Sequence, residues 1–147
     1  MNVLVTGGSG FIGSHIVDKL IENNYTVTVI DIVPTHRNDI EFIKGSISDR
    51  SLLKKIMPNV DYVYHLAAVS NIDHVIDKPI ETINYNVMGT AFLLEEARHY
   101  KIKRFFLASS VFVFEKSGHL YASSKYFSEI LCQNYETLYR LPYTILR

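Results

Sequence analysis

The sequence predicts an α/β domain: a doubly wound parallel sheet with helices on both faces. Three observations carry that expectation. Short apolar strand patterns alternate with amphipathic helix patterns along the whole chain, and such alternation builds a parallel sheet covered by its own crossover helices. The first strand runs straight into a glycine-rich turn, Gly7-Gly8-Ser9-Gly10-Phe11-Ile12-Gly13, that opens a helix. The second strand closes on an acid, Asp31.

The elements follow in order. Residues 2–6 are the first strand and 11–23 an amphipathic helix; residues 26–31 are the second strand. Residues 34–39 form a polar loop before a short third strand, Glu41-Phe42-Ile43-Lys44. Ser48 or Asp49 can cap a helix that runs through Met57 and that Pro58 ends. Residues 61–66 are the fourth strand. Residues 79–100 read as one long helix, with Val87, Met88, Ala91, Leu94 and Ala97 as its apolar residues. Residues 104–108 are the fifth strand, 120–140 a second long helix, and 143–146 a sixth strand. The crossovers should be right-handed.

Composition narrows the function. The 147 residues suit one domain, 1–147, with no internal linker or repeat. A formal net charge of zero argues against a broad grip on nucleic acid or an anionic membrane. One cysteine, Cys132, excludes an internal disulfide and reads as a small apolar core residue. The six histidines show no metal-ligand spacing, so no metal is expected. The first strand starts at Asn2, leaving no room for a signal peptide. No apolar run approaches membrane-spanning length, so the expected location is the cytoplasm. A last apolar strand that reaches the final residue suggests that more protein normally follows.

The glycine turn reads in two ways. Gly8, Gly10 and Gly13 give G-x-G-x-x-G; Gly7, Gly10 and Gly13 give G-x-x-G-x-x-G. Either way one glycine makes the tight turn, one admits a pyrophosphate to the backbone, and one packs helix against strand. The phosphate then lies on the helix N-terminus. Asp31 stands where an acceptor for a ribose hydroxyl is expected.

In such sheets a ligand lies beyond the carboxyl ends of the strands. After the fourth strand come Leu66-Ala67-Ala68-Val69-Ser70, small enough to let a cofactor approach. After the fifth come Ser109-Ser110, and then Tyr121 and Lys125, four apart and so on one helix face. A free tyrosine titrates at about 10, too high for a base at neutral pH. A neighbouring ammonium favours the phenolate, and a serine can hold the reacting oxygen. Ser110, Tyr121 and Lys125 thus form a candidate proton-transfer set beside a nicotinamide. With 10 tyrosines in the chain, the Y-x-x-x-K pattern alone is near chance; its position is what counts.

The chain resembles the N-terminal, cofactor-binding part of the extended short-chain dehydrogenases/reductases, of the NAD-dependent sugar epimerase/dehydratase type. The matching pieces run in family order over nearly the whole chain: Thr6 to Gly13, Asp31, His65-Leu66-Ala67-Ala68, Asn86-Val87-Met88-Gly89-Thr90, Ala108-Ser109-Ser110, and Tyr121-Ala122-Ser123-Ser124-Lys125 with Glu129. The resemblance favours the Gly7, Gly10, Gly13 spacing. It implies a Rossmann-type sheet of about six strands in the order 3-2-1-4-5-6. Gly7, Gly10, Phe11, Ile12 and Gly13 would hold the pyrophosphate of NAD. Asp31 and Ile32 would flank the adenine ribose, and Ser46 and Ile47 the adenine. Leu66, Ala67, Ala68 and Ser70 would line the cofactor, with Tyr85 or Asn86 nearby. Ser110, Tyr121 and Lys125 would be catalytic, with Lys125 also on the nicotinamide ribose.

For an intact enzyme the resemblance implies a UDP- or dTDP-hexose substrate. Tyr121 would take a proton from a sugar hydroxyl, hydride would pass to NAD, and a keto-sugar would form; in a 4-epimerase, hydride returns to the other face. Asp31 favours NAD over NADP, and Arg37 is a counter-hint or a solvated loop arginine. Four departures stand out. Ser46 replaces a frequent Asp. Val113-Phe114-Glu115 replaces the usual Val-Tyr-Gly. The segment from Ser110 to Tyr121 is short. The family's C-terminal substrate-binding domain is absent. Val111-Phe112 also stand where 4,6-dehydratases carry an Asp-Glu pair. The alternatives are an NAD-binding module without turnover, or a carbonyl reductase or 4,6-dehydratase of the same family. Tyr126, Phe127, Tyr135 and Tyr139 allow two readings: packing on the sheet, or a homodimer through the two long helices. His65 reads as a packing and backbone-bonding residue; His36, His74, His99 and His119 as loop or surface residues.

Overall fold

The computed structural model describes residues 1–114 and 119–147. Glu115, in the expected Val113-Phe114-Glu115 departure, lies outside the described residues, as does part of the Ser110–Tyr121 segment. The strands are β1 (Asn2–Thr6), β2 (Thr26–Asp31), β3 (Glu41–Lys44), β4 (Tyr62–His65), β5 (Arg104–Ala108) and β6 (Tyr143–Leu146). They form one parallel sheet in the order β3-β2-β1-β4-β5-β6, as expected. The central strand shows why: Val3, Leu4 and Val5 are all buried, because both faces of β1 are covered. Thr6 pairs with Ile30 on one side and His65 on the other. The carboxyl ends of β1, β2 and β4 therefore finish level, and the segments that leave them share one edge.

The helices are α1 (Phe11–Glu22), α2 (Arg50–Ile56), α3 (Ile72–Asp77), α4 (Pro79–Ile83), α5 (Gly89–His99) and α6 (Leu120–Tyr139). On one face Val17 and Leu20 of α1 pack on Val3, Val5, Val27 and Val29. On the other, Leu53, Leu93, Leu94, Ala97 and Cys132 pack on Leu4, Ile30, Val63, Phe105 and Leu107. The two faces are covered unequally. On the α1 side Tyr62, Tyr64 and Phe106 are only half-buried. Tyr64 stacks on Phe106 at 4.3 Å.

Three local features differ from the sequence expectation. The long helix over 79–100 is interrupted by a π-helical turn, Asn84–Met88, between α4 and α5. Such turns are frequent at functional sites, and this one buries Asn86. Helix α3 was not expected; Asn71 caps it by accepting the His74 N–H at 2.9 Å. Pro58 lies inside a 3₁₀ turn, Met57–Asn59, and α2 ends one residue before that turn. Asp49 is the cap, taking the Leu52 N–H at 3.1 Å. No helix among the described residues is long and apolar enough to cross a membrane.

Phe105 is fully buried at the centre of the larger core. Phe105→Ala should destabilise the fold by about 3–5 kcal/mol. Phe106→Ala, one residue along on the open face, should cost clearly less. Urea unfolding of the two variants measures the contrast.

Candidate active site

At the carboxyl edge of the sheet lies a cleft of about 700 Å³. Its floor is the glycine turn. Gly7 has φ of +72°, and a Cβ there would meet the Ala67 nitrogen at 2.6 Å. A Cβ on Gly13 would meet the Gly7 carbonyl oxygen at 2.1 Å, so α1 packs directly on the turn. The left-handed position falls on Gly7; Gly8 is instead pressed against the Val29 side chain. Gly10 is the N-cap of α1, and among the described residues no side chain caps that helix. Its first N–H groups face the cleft mouth with the positive end of the helix dipole. Phe11 and Ile12 beside them are exposed.

Asp31 ties the turn to β2. Its Oδ2 accepts the Ser9 N–H at 3.0 Å and its Oδ1 the Val33 N–H at 3.1 Å. The Ser9 hydroxyl oxygen, in the same wall, is buried without a partner among the described residues. Ile32, Ser46 and Ile47 line this end of the cleft. Ser46 Oγ lies 2.8 Å from Ser48 Oγ. The opposite wall is Leu66, Ala67, Ala68 and Ser70. Arg37 is not a solvated loop arginine. It donates to both oxygens of Asp39, at 2.8 and 2.5 Å, and to Asp18 at 2.7 Å.

Tyr121 and Lys125 line the far end. Ser110 is not on the cleft wall; its Oγ accepts the Phe112 N–H at 3.3 Å. It lies close enough to the Tyr121 hydroxyl to pull that phenol down, against burial, which wins and pushes it above its ordinary value. Here one expectation needs correction. Lys125 does not depress Tyr121. Its Nζ donates to the Ala108 carbonyl at 2.9 Å and sits 5.9 Å from the Tyr121 ring centre. Burial lowers Lys125 itself to about 8.

Asn86 also differs. It is buried behind the wall rather than on it, and grips Val69 with both ends of its amide: Oδ1 accepts the Val69 N–H at 2.7 Å and Nδ2 donates to the Val69 carbonyl at 2.9 Å. Tyr85 lines the cleft in its place. Sequence reasoning missed His74 and Glu81, which also line it, 3.1 Å apart. Their seven-residue spacing gives no signal once α3 goes unseen. Sequence reasoning named Ser109 and Glu129 without joining them: the Ser109 hydroxyl bonds Glu129, itself held by Arg147 at 2.9 and 2.7 Å. His119 is not a plain loop residue: its Nδ1 caps α6 by accepting the Ala122 N–H at 3.2 Å. Its ring stacks 6.0 Å from that of Tyr121. Among the described residues no three His, Cys, Asp or Glu side chains gather to hold a metal.

The Lys125 shift is testable. In the fold it titrates at about 8, against 10.5 when unperturbed. Between those values the unfolded chain binds more protons, so stability rises with pH across that window. The unfolding free energy of wild type relative to Lys125→Met should therefore climb from pH 8 towards pH 10.5. A difference that does not vary with pH would show an unburied ammonium.

Residues 3–147 match the NAD dependent epimerase/dehydratase family. A Methanocaldococcus jannaschii protein named as a candidate UDP-glucose 4-epimerase is 40% identical over 99% of this chain and 54% of its own length. The UDP-glucose 4-epimerase of Thermotoga maritima, solved with UDP-glucose, superposes with a TM-score of 0.90 at 34% identity, covering 100% of this chain and 55% of that one. The UDP-glucuronic acid 4-epimerase of Bacillus cereus, solved with UDP-glucuronic acid and NAD, gives 0.89 at 31% identity over 100% and 56%. The chain spans about half the length of these relatives. It belongs to the NAD-dependent epimerase/dehydratase family.

Proposed function

We propose that the cleft holds NAD and that this chain carries the cofactor and proton-transfer machinery of a nucleotide-sugar 4-epimerase. Four features fit the cofactor: an uncapped helix start, a glycine floor that a Cβ would fill, a carboxylate at the end of β2, and the orphaned Ser9 hydroxyl. Gly7, Gly10, Phe11, Ile12 and Gly13 would take the pyrophosphate on backbone N–H groups. Asp31 would accept from the adenine ribose, with Ile32, Ser46 and Ile47 around the base. Leu66, Ala67, Ala68 and Ser70 would pack along the rest, and Lys125 would reach the nicotinamide ribose. NAD, when bound, supplies the hydride acceptor at a sugar carbon.

The observation that carries the chemistry is the pair Tyr121 and Lys125, one helical turn apart at the opposite end of the same cleft from the glycine turn. The Tyr121 hydroxyl would exchange a proton with the sugar hydroxyl. Lys125 is held on the Ala108 carbonyl and, lowered to about 8, is charged or neutral within reach of ordinary pH; its part would be to hold the nicotinamide ribose. Ser110 would hold the phenol in line. Val111 and Phe112 favour this reading over 4,6-dehydration: neither is acidic, and Phe112 packs 5.1 Å from His119. Turnover by a carbonyl reductase of this family, or NAD binding without turnover in 147 residues, are the other readings. UDP- or dTDP-hexose would be the substrate and the cytoplasm the location. Exposed Tyr126 and Phe127 on α6 support a homodimer through the two long helices.

Titration calorimetry tests the cofactor reading. Wild type should bind NAD, and Asp31→Ala should bind it about tenfold more weakly. No NAD binding by wild type would sink the proposal. Tyr121→Phe should keep NAD affinity and abolish turnover of UDP-glucose; surviving turnover would remove Tyr121 from its role.

A further inference from the structure

Behind the cleft runs a chain of buried polar groups that none of the chemistry above uses. Its centre is His65, at the end of β4 and 2% exposed. Rather than bonding backbone, it has two threonine partners. Nδ1 lies 2.8 Å from Thr6 Oγ1, and Nε2 2.8 Å from Thr90 Oγ1.

The direction of each bond follows from counting protons. Thr90 Oγ1 is 2.6 Å from the Asn86 carbonyl oxygen. A carbonyl has no proton, so Thr90 donates its only one there. Thr90 must then accept from His65, which puts the imidazole proton on Nε2. Nδ1 is bare, and the Thr6 hydroxyl donates to it. Thr6 Oγ1 accepts in turn from the Ala67 N–H at 3.3 Å. Further on, Asn86 Nδ2 gives one proton to the Val69 carbonyl and the other to Ser124 Oγ at 3.1 Å. Ser124 passes its own to the Tyr121 carbonyl at 2.7 Å. Ser128 Oγ, also on α6, lies 2.9 Å from the Ser124 carbonyl, 3.2 Å from the Asn86 carbonyl and 3.4 Å from Thr90 Oγ1; its single proton goes to the shortest contact, the Ser124 carbonyl, and the 2.6 Å Thr90 bond keeps the Asn86 carbonyl.

From Ala67 to the Asn86 carbonyl all donors therefore point one way, and the Asn86 amide carries the link on to Tyr121. Aligned bonds of this kind polarise one another in a dry interior. A second proton on His65 would face the Thr6 hydroxyl, which already accepts from Ala67. Burial acts in the same sense, holding His65 neutral down to about 3. Both ends of the chain are functional positions: Thr6 precedes Gly7, and the last acceptor is the main chain of Tyr121. The middle, Asn86, clamps Val69 in the cleft wall.

We propose that His65, Thr90 and Asn86 are positioning residues: through this one-way hydrogen-bonded spine they set the spacing between the glycine turn and the helical turn that presents Tyr121. The inference rests on the cleft being an NAD site, and its test separates the two. Nitrogen NMR of the histidine rings should show His65 as the Nε2–H tautomer, unchanged between pH 6 and 8. Thr90→Val should weaken NAD binding about tenfold, while Thr90→Ser, which keeps the hydroxyl, stays within about twofold of wild type. Ser124→Ala, the mildest cut, should lose affinity several-fold and carries the test if Thr90→Val does not fold. An Nδ1–H tautomer would overturn the spine. A lowered melting temperature with wild-type NAD affinity in Thr90→Val or Ser124→Ala would reduce it to a purely structural feature. Failure of wild type to bind NAD would overturn the cofactor reading itself, whatever the tautomer.

Discussion

Backbone lies against backbone where β1, α1 and the segment after β4 meet, and the site depends on that contact. A single methyl at Gly13 would drive α1 off the Gly7 carbonyl, and one at Gly7 would push away Ala67. With both absent, the start of α1, the end of β2 and the wall after β4 come within one ligand's length. Every candidate group at the turn inherits its place from this approach. The parallel register does the rest, since strands that finish level release their loops on the same side.

A second theme is charge suppression. Burial pushes the Tyr121 phenol up, Lys125 down and His65 down. All three shifts favour the neutral form, as expected where water is scarce. At the cleft's far end burial therefore disfavours charge on both Tyr121 and Lys125. The carboxylates are treated otherwise. Glu129 keeps its charge because Arg147 holds it, and its carboxyl falls below the ordinary range.

Much of this was legible in the sequence. Buried parallel strands write themselves as apolar runs, and glycines at a strand-to-helix turn are conspicuous, so the sheet and the floor of the cleft could be read; the strand order came from the family resemblance. Asp31, Tyr121 and Lys125 were found because each follows a strand end or shares a helix face. What escaped depends on distant contacts. The π-helical turn buries Asn86, yet residues 84–88 carry no periodicity that announces it. His74 and Glu81 meet only because the short helix α3 folds back. Lys125 was expected to act on Tyr121, but the carbonyl of Ala108, in another element, claims its ammonium. Sequence spacing reports neighbours along one element; it is silent about which carbonyl a long side chain will reach.

The loop after β2 adds a consequence of its own. Arg37 has its guanidinium shared between Asp18 and Asp39, while Asp31 stands at the rim of the cleft. An adenosine ribose bearing an extra phosphate would therefore meet a carboxylate and find the loop's guanidinium already engaged. The loop's arginine is thus held by its own neighbours, and the charge that faces the cleft from this end is the carboxylate of Asp31.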